Sequence, residues 1–396
     1  MENDMKKERI FAPVSHEELE RRFKAVRAAM EKKNLDCLVM QNNNQYLGGY
    51  VRWFTGITAE NSYPVVVIFS LTEGMTMISC GGPPMSITPP EWSVHGVKER
   101  ISLPFIPSLN FSNDVAPKAT VESLKKYKAR SVGLVSKGLM SAYFHEYVTQ
   151  QMPDVLWNDA TDMVDEIKAV KSEEEIGLAR RCAHMQDMVY QAIPAITRPG
   201  ATEYELRSEI QRMVTNLGSE EQLIMIGSAP GGKPSGMYPT FFQNRTLKQG
   251  DCICIMIETN GPGGFWCELA RTICLGEPPK AQIEAWEASV KVQKYNVELL
   301  KPGANPADLY ETVNEYQEKL GFPREERLHS HGQGYDVVER PGIRPEETMV
   351  IRSNMVISIH PTILSENAYA YCNDDFLVTE NGAERIHEMP QELLIV

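Results

Sequence analysis

Compact apolar runs alternate with amphipathic stretches over the first 160 or so residues of the chain. ELERRFKAVRAAMEKK repeats its apolar positions at helical spacing, and DCLVMQ and SYPVVVIFS are short runs rich in strand formers. TVESLKKYKA returns to helical spacing, and RSVGLVS to a strand. This order predicts an α/β domain. Around Val164 the pattern becomes VDEIKAVKSEEEIGLARRCAHMQDMVYQAI, in which Ser172 and Glu175 are spaced as a capping box that opens a long helix. The boundary is drawn there, giving an N-terminal α/β domain over 1–163 and a second domain over 164–396.

The second domain contains an internal repeat. RPGATEYELRSEIQRMVTNLG (198–218) matches KPGANPADLYETVNEYQEKLG (301–321) at an offset of 301 − 198 = 103, with coincidences at Pro199/Pro302, Gly200/Gly303, Ala201/Ala304, Leu206/Leu309, Leu217/Leu320 and Gly218/Gly321. Each copy starts at a cap, Thr202 or Asn305, followed three residues later by Glu205 or Asp308, which suits the exposed amides of a helix start. Strands follow both copies, CICIMIE after the first and NMVISIH after the second. A duplicated helix-plus-strand unit predicts two pseudo-symmetric halves enclosing a cleft, a common place for a site.

Length and composition narrow the class. A chain of 396 residues suits two domains, with 42% apolar and 23% charged residues and no apolar run long enough to span a bilayer. The N-terminal segment lacks a secretory apolar stretch, so a cytoplasmic protein is expected. Eight cysteines without a CxxC pair are read as reduced thiols, mostly buried. A net charge of −13 and no basic cluster disfavour nucleic acid as a partner.

Four polar residues sit in or beside apolar strands: Glu258 in ICIMIETNG, Glu268 in GFWCELART, His331 in HSHGQGY and His360 in MVISIHPTI. Burying such groups is costly unless they are paired, hydrogen-bonded or metal-bound. Each alone has a plain structural explanation, such as a salt bridge from Arg271 to its neighbouring Glu or a core histidine. Four spread over both halves of a duplication point to a shared site.

VDEIKAVKSEEEI, the Gly250-Asp251 pair, ELART (268–272), SHGQG (330–334), MVISIHP (355–361) and NDDFLVTENG (373–382) together resemble the motifs of the creatinase, prolidase and aminopeptidase P family, over nearly the whole chain. The resemblance implies an α/β (α+β) protein: a small N-terminal domain, a C-terminal pita-bread catalytic domain, and a homodimer. The metallopeptidases of that family hold two divalent ions with two Asp, one His and two Glu. Here the matching positions carry Glu258, Glu268, His331, His360 and Asn373, and Val338 stands where the second histidine of HGxGxxxHE belongs. A two-metal site is therefore not expected. Creatinase, the metal-free member, has a similar Glu before its arginine-threonine pair, but its loop histidine has no counterpart in GSAPGGKPSGMYPTFF, where Tyr238 is the nearest proton-transfer candidate. The spacing from Glu258 and the TNGPGGF turn also resemble the dimethylsulfoniopropionate lyase branch.

The leading expectation is a hydrolase, with a lyase as an alternative. It would cleave a carbon–nitrogen or similar bond of a small cationic or zwitterionic molecule without a cofactor. His331 or His360 would move the proton, and Glu258 and Glu268 would bind the cation. One alternative is a hydrolase, peptidase or lyase holding a single divalent ion on Glu258, Glu268, His331 and His360. Another is a non-catalytic binding module. Arg52, Trp53 and Phe54 are candidates for closing a neighbouring subunit's site, against a reading in which they pack an interface. Arg340 and Arg344 are candidates for a substrate carboxylate, against a solvated ERPGIRPEE turn.

Overall fold

The computed structural model describes residues 13–396 apart from 43, 45, 48, 59–61, 91–92 and 239–243. The described chain separates into two compact units at Lys168/Ala169, five residues beyond the boundary expected from sequence. The short helix Thr161–Lys168 accounts for the difference: its Asp165 accepts a hydrogen bond from the hydroxyl of Tyr50 at 2.7 Å, which ties it to the N-terminal unit.

In that unit β1 (Cys37–Asn42), β2 (Val65–Ser70), β3 (Met75–Cys80), β4 (Met85–Ile87), β5 (Val97–Leu103), β6 (Ser131–Val135) and β7 (Leu156–Asp159) form one sheet in the order β4-β5-β3-β2-β1-β6-β7. β1, β6 and β7 run parallel, while β2 is antiparallel to β1. The apolar faces of helices Val115–Lys126 and Ala142–Gln151 pack over Val39, Ile68 and Val132. This is the α/β arrangement that the alternating pattern predicts.

The C-terminal unit carries β8 (Gln222–Pro230), β9 (Asp251–Asn260), β10 (Trp266–Cys274), β11 (Ser330–Gly332), β12 (Glu339–Gly342), β13 (Val356–Ile359), β14 (Thr362–Leu364), β15 (Tyr369–Tyr371), β16 (Asp374–Thr379), β17 (Gly382–Arg385) and β18 (Leu394–Ile395). Two sheets form, β18-β10-β9-β8 and β12-β11-β13-β16-β17, with β14 and β15 as a separate hairpin. The sheets meet at a two-way backbone bridge between Ala270 and Asn373, with both N–O distances 3.3 Å.

The sequence repeat is a structural repeat. Helices Glu203–Asn216 and Pro306–Lys319 are offset by 306 − 203 = 103 residues at their starts and 319 − 216 = 103 at their ends. Thr202 and Asn305 cap them through their side chains. Gly200 and Gly303 take positive φ, which a glycine adopts at little cost, and their amides donate to Leu247 and Ile351 at 2.9 Å in each case. The preceding helices, Glu173–Ile196 and Lys280–Leu299, each send a glutamine onto a strand carbonyl: Gln186 to Ile257 and Gln293 to Ile359. The capping box at Ser172 forms as expected.

Parity along the β9–β10 hairpin sets the site. Ile253, Ile255 and Ile257, with Leu269 and Ile273, face the helices and join the main core. Cys252, Cys254, Met256 and Glu258 face the other way, opposite Cys274, Thr272, Ala270 and Glu268. Helix Glu173–Ile196 clasps both strands: the Tyr190 hydroxyl donates to Ile255 O at 2.6 Å and accepts from Arg271 N at 2.8 Å, and Gln186 donates to Cys267 O at 2.6 Å. No described helix is long and apolar enough to cross a membrane. Among the described residues all eight cysteines are free, and all but Cys80 are buried.

Candidate active site

Glu258 and Glu268 are direct cross-strand partners on β9 and β10. His331 on β11 and His360, at the end of β13, reach the same place from the second sheet. Nε2 of His331 lies 3.1 Å from Oε1 of Glu268, and the two imidazole centroids are 5.0 Å apart. All four side chains are buried. The two halves of the repeat thus bring two glutamates and two imidazoles into one cluster.

Hydrogen bonding differentiates these groups. His331 uses Nδ1 against its neighbouring carbonyl, Gly332 O, at 3.0 Å, which leaves Nε2 for Glu268. Both oxygens of Glu268 are engaged. Gln333 donates to Oε1 at 2.9 Å, Asn373 donates to Oε2 at 2.6 Å, and Ser358 lies 3.3 Å from Oε2. Ring stacking against Tyr371 at 5.3 Å holds His360, whose Nδ1 is buried with no hydrogen-bond partner among the described residues.

Charges follow from these contacts. Burial works against ionisation of Glu268, but the charge and hydrogen bond of His331, aided by His360, outweigh it and hold Glu268 below the usual carboxylate range. Burial and the facing Glu268 push Glu258 far up, which favours its protonated form. Burial likewise opposes charge on His331, yet Glu268 wins and its pKa rises. His360 drops to about 3, first by burial and then by the charge of His331. These shifts favour an imidazolium–carboxylate pair at His331 and Glu268, a protonated carboxyl at Glu258 and a neutral imidazole at His360. Two facing buried carboxyls oppose each other's ionisation, which bears on how much negative charge Glu258 and Glu268 together offer a cation.

Sequence reasoning missed a second buried layer. Asp375 on β16 accepts the backbone amide of Glu268 at 2.9 Å. Behind it His387 lies 3.6 Å from Asp375 and 3.4 Å from Asp187, all three buried. Burial disfavours charge on His387, but the flanking carboxylates of Asp187 and Asp375 raise it to about 10. Asp375 lies in the NDDF run, and two adjacent acids in an apolar strand were the available signal. His387 and Asp187 carry none, since they lie on a C-terminal loop and a long helix.

The accessory candidates separate. Tyr238 is exposed, bridges to Ile226 on β8, and is near enough to Tyr369 to influence its ionisation. Arg340, in β12, pairs with Glu347 at 2.5 Å and Arg344 with Glu346 at 2.5 Å, so acids of the same segment engage both guanidinium groups. The expectation that Trp53 and Phe54 close a neighbouring site fails for these two rings. Both are fully buried within the N-terminal unit, edge to face at 5.1 Å, leaving no surface for another chain. Arg52 is also buried there and donates to Thr58 at 2.8 Å. Asp251 of the Gly-Asp pair is tied to Arg245 at 2.5 Å.

The duplicated halves, the hairpin acids and the paired histidines define a hydrolase-type catalytic domain. The chain belongs to metallopeptidase family M24, whose model matches residues 177–380. It is 28% identical over 329 residues to the probable dipeptidase PepE of Mycobacterium tuberculosis, covering 75% of this chain and 86% of that one. It is 29% identical over 272 residues to creatinase of Bacillus sp., covering 61% and 63%, and 22% identical over 411 residues to ectoine hydrolase of Halomonas elongata, covering 97% and 98%. The solved dipeptidase PepE of Mycobacterium ulcerans superposes with a TM-score of 0.77 at 21% identity, covering 97% of this chain and all of that one, which shows the pita-bread prolidase fold.

Family M24 generally uses divalent metals. A two-ion site does not fit the residues here. Asn373 offers an amide where a carboxylate ligand is needed, and amide protons of Asn373 and Gln333 point at the two Glu268 oxygens that would each have to take an ion if the carboxylate bridged two. A single ion fits better: ligand atoms of Glu268, His331 and His360 all lie within 4.8 Å of one another, and Nδ1 of His360 is otherwise unused among the described residues.

Proposed function

We propose that this chain is a non-peptidase hydrolase of family M24 that cleaves a carbon–nitrogen or similar carbon–heteroatom bond in a small zwitterionic molecule. Proton transfer would run through the His331–Glu268 pair. The observation that carries this reading is the double engagement of Glu268 by amide donors and by His331, which suits an orienting carboxylate rather than a bridging metal ligand. His331, protonated beside its carboxylate, serves as the acid that delivers a proton to the leaving heteroatom. Glu268 stabilises the imidazolium, Glu258 faces it in its protonated form, and neutral His360 accepts a hydrogen bond from substrate or water. Creatinase and ectoine hydrolase, among the relatives, bear names of non-peptide substrates, which agrees with this direction.

A second reading has one specific observation in its favour. Glu268, His331 and His360 would hold one divalent ion, which when bound would supply a Lewis acid, and the protein would then act as a single-metal hydrolase. One experiment separates the readings: purified protein is incubated with creatine, ectoine, other small betaine or guanidino compounds, and Xaa-Pro dipeptides, with and without chelator, while amine release is followed. Chelator-resistant turnover of a non-peptide compound is expected. Hydrolysis confined to Xaa-Pro dipeptides and dependent on an added divalent ion would overturn the proposal. Incorporation of labelled water into the product distinguishes hydrolysis from elimination.

A further inference from the structure

Cys252 and Cys274 stand directly opposite each other across β9 and β10, and their Sγ atoms lie 3.3 Å apart. Both are buried. They occupy the same face of the ladder as Glu258 and Glu268, six residues further along each strand, roughly 20 Å away at the strand rise. Facing residues of an antiparallel pair have Cα atoms about 4.5–5.5 Å apart. That falls inside the span of about 4.4–6.8 Å that a disulfide bridges. Bond formation therefore needs the sulfurs to close from 3.3 Å to about 2.05 Å, with no change of register.

We infer that Cys252 and Cys274 form a reversible dithiol–disulfide site, oxidised by small two-electron oxidants of the azodicarboxamide or peroxide class. The inference is independent of the reaction proposed above. Either sulfur of the pair can donate to the other, and the contact favours ionisation of the accepting thiol. Burial pushes Cys37 and Cys372 up to about 12, so these thiols are poor nucleophiles. With diamide, the thiolate of one cysteine adds to the N=N bond and the sulfur of the other displaces that nitrogen from the adduct. One S–S bond forms, and the two thiol protons and two electrons end on the reagent as its hydrazine. A dithiol such as dithiothreitol reverses the step by exchange.

The test uses full-length protein as purified. It is treated with diamide under native conditions, then unfolded in an alkylating agent and peptide-mapped by mass spectrometry. The expected result is loss of two of the eight alkylatable thiols, with a peptide linking Cys252 to Cys274 that dithiothreitol removes and that Cys252→Ser lacks. Cys274→Ser serves the same purpose if Cys252→Ser does not fold, and the wild-type map needs neither. Eight free thiols after diamide, or a link joining other cysteines such as Cys182 to Cys267, would overturn the inference.

Discussion

The carboxylate of Glu268 receives Nε2 of His331 at 3.1 Å from the opposite half of the repeat, and the two have opposed shifts: Glu268 toward its ionised form and His331 toward its protonated form. The pair works only as a pair. Changing Glu268 to Gln removes the charge that favours protonated His331 and preserves shape, while one of the two accepting oxygens becomes an amide donor. Turnover of the substrate found by screening should fall by about 10²–10⁴-fold. Circular dichroism should match that of the wild type. Full activity in Glu268→Gln would remove the assignment.

Metal stoichiometry follows from the ligand atoms. Elemental analysis of protein dialysed against excess zinc should find no more than one tightly held ion per chain, and His360→Ala should bind less than the wild type. Two ions retained after gel filtration would contradict the account of Asn373 and Gln333 given above.

His387, between Asp187 and Asp375, makes stability depend on alkaline pH. Its pKa is about 10 in the folded chain against an ordinary 6.5, so the folded state holds a proton that the unfolded chain has released within that interval. The contribution is complete below about 6.5 and is lost as pH rises through about 10. Urea midpoints measured from pH 6 to 10 should decline for the wild type. His387→Asn should lower stability by about 3–5 kcal/mol near neutral pH by leaving two buried acids unpaired, and should flatten that decline. An unchanged slope in the variant would refute the placement of the charge.

Arg271 and Asp374 form a fully buried ion pair at 2.7 Å, and Arg271 also donates to the carbonyls of Asn373, Met389 and Pro390. Replacing this arginine by Met removes the nearest cation from Asp374, which keeps Arg385 at 3.4 Å, and strands several carbonyls. A loss of about 3–5 kcal/mol in chemical unfolding is expected. A loss under 1 kcal/mol would show that the network tolerates its removal.

Much of this was legible from the residues. The 103-residue repeat, its caps and the strands behind it announce two equivalent halves, because caps and glycine turns are written locally. Glu258, Glu268, His331 and His360 are conspicuous as polar groups in apolar strands, and the fold brings them together. What stayed hidden is long-range. That Glu258 would favour its protonated form depends on a register that puts it opposite Glu268. The Asp187–His387–Asp375 layer joins residues about two hundred positions apart with no periodic signal. Trp53 and Phe54 misled because aromatic side chains near a turn look alike whether they face a neighbour or their own core.

The grip of Tyr190 and Gln186 on both strands of the β9–β10 hairpin has a consequence for how the acids behave in time. A slide of one position would turn isoleucines outward and glutamates inward, and would unfasten the tyrosine and the glutamine together. No half-shifted arrangement is available. Deuterium should therefore enter the amides of this ribbon only when the whole C-terminal unit opens, and the facing acids exist either fully assembled or not at all.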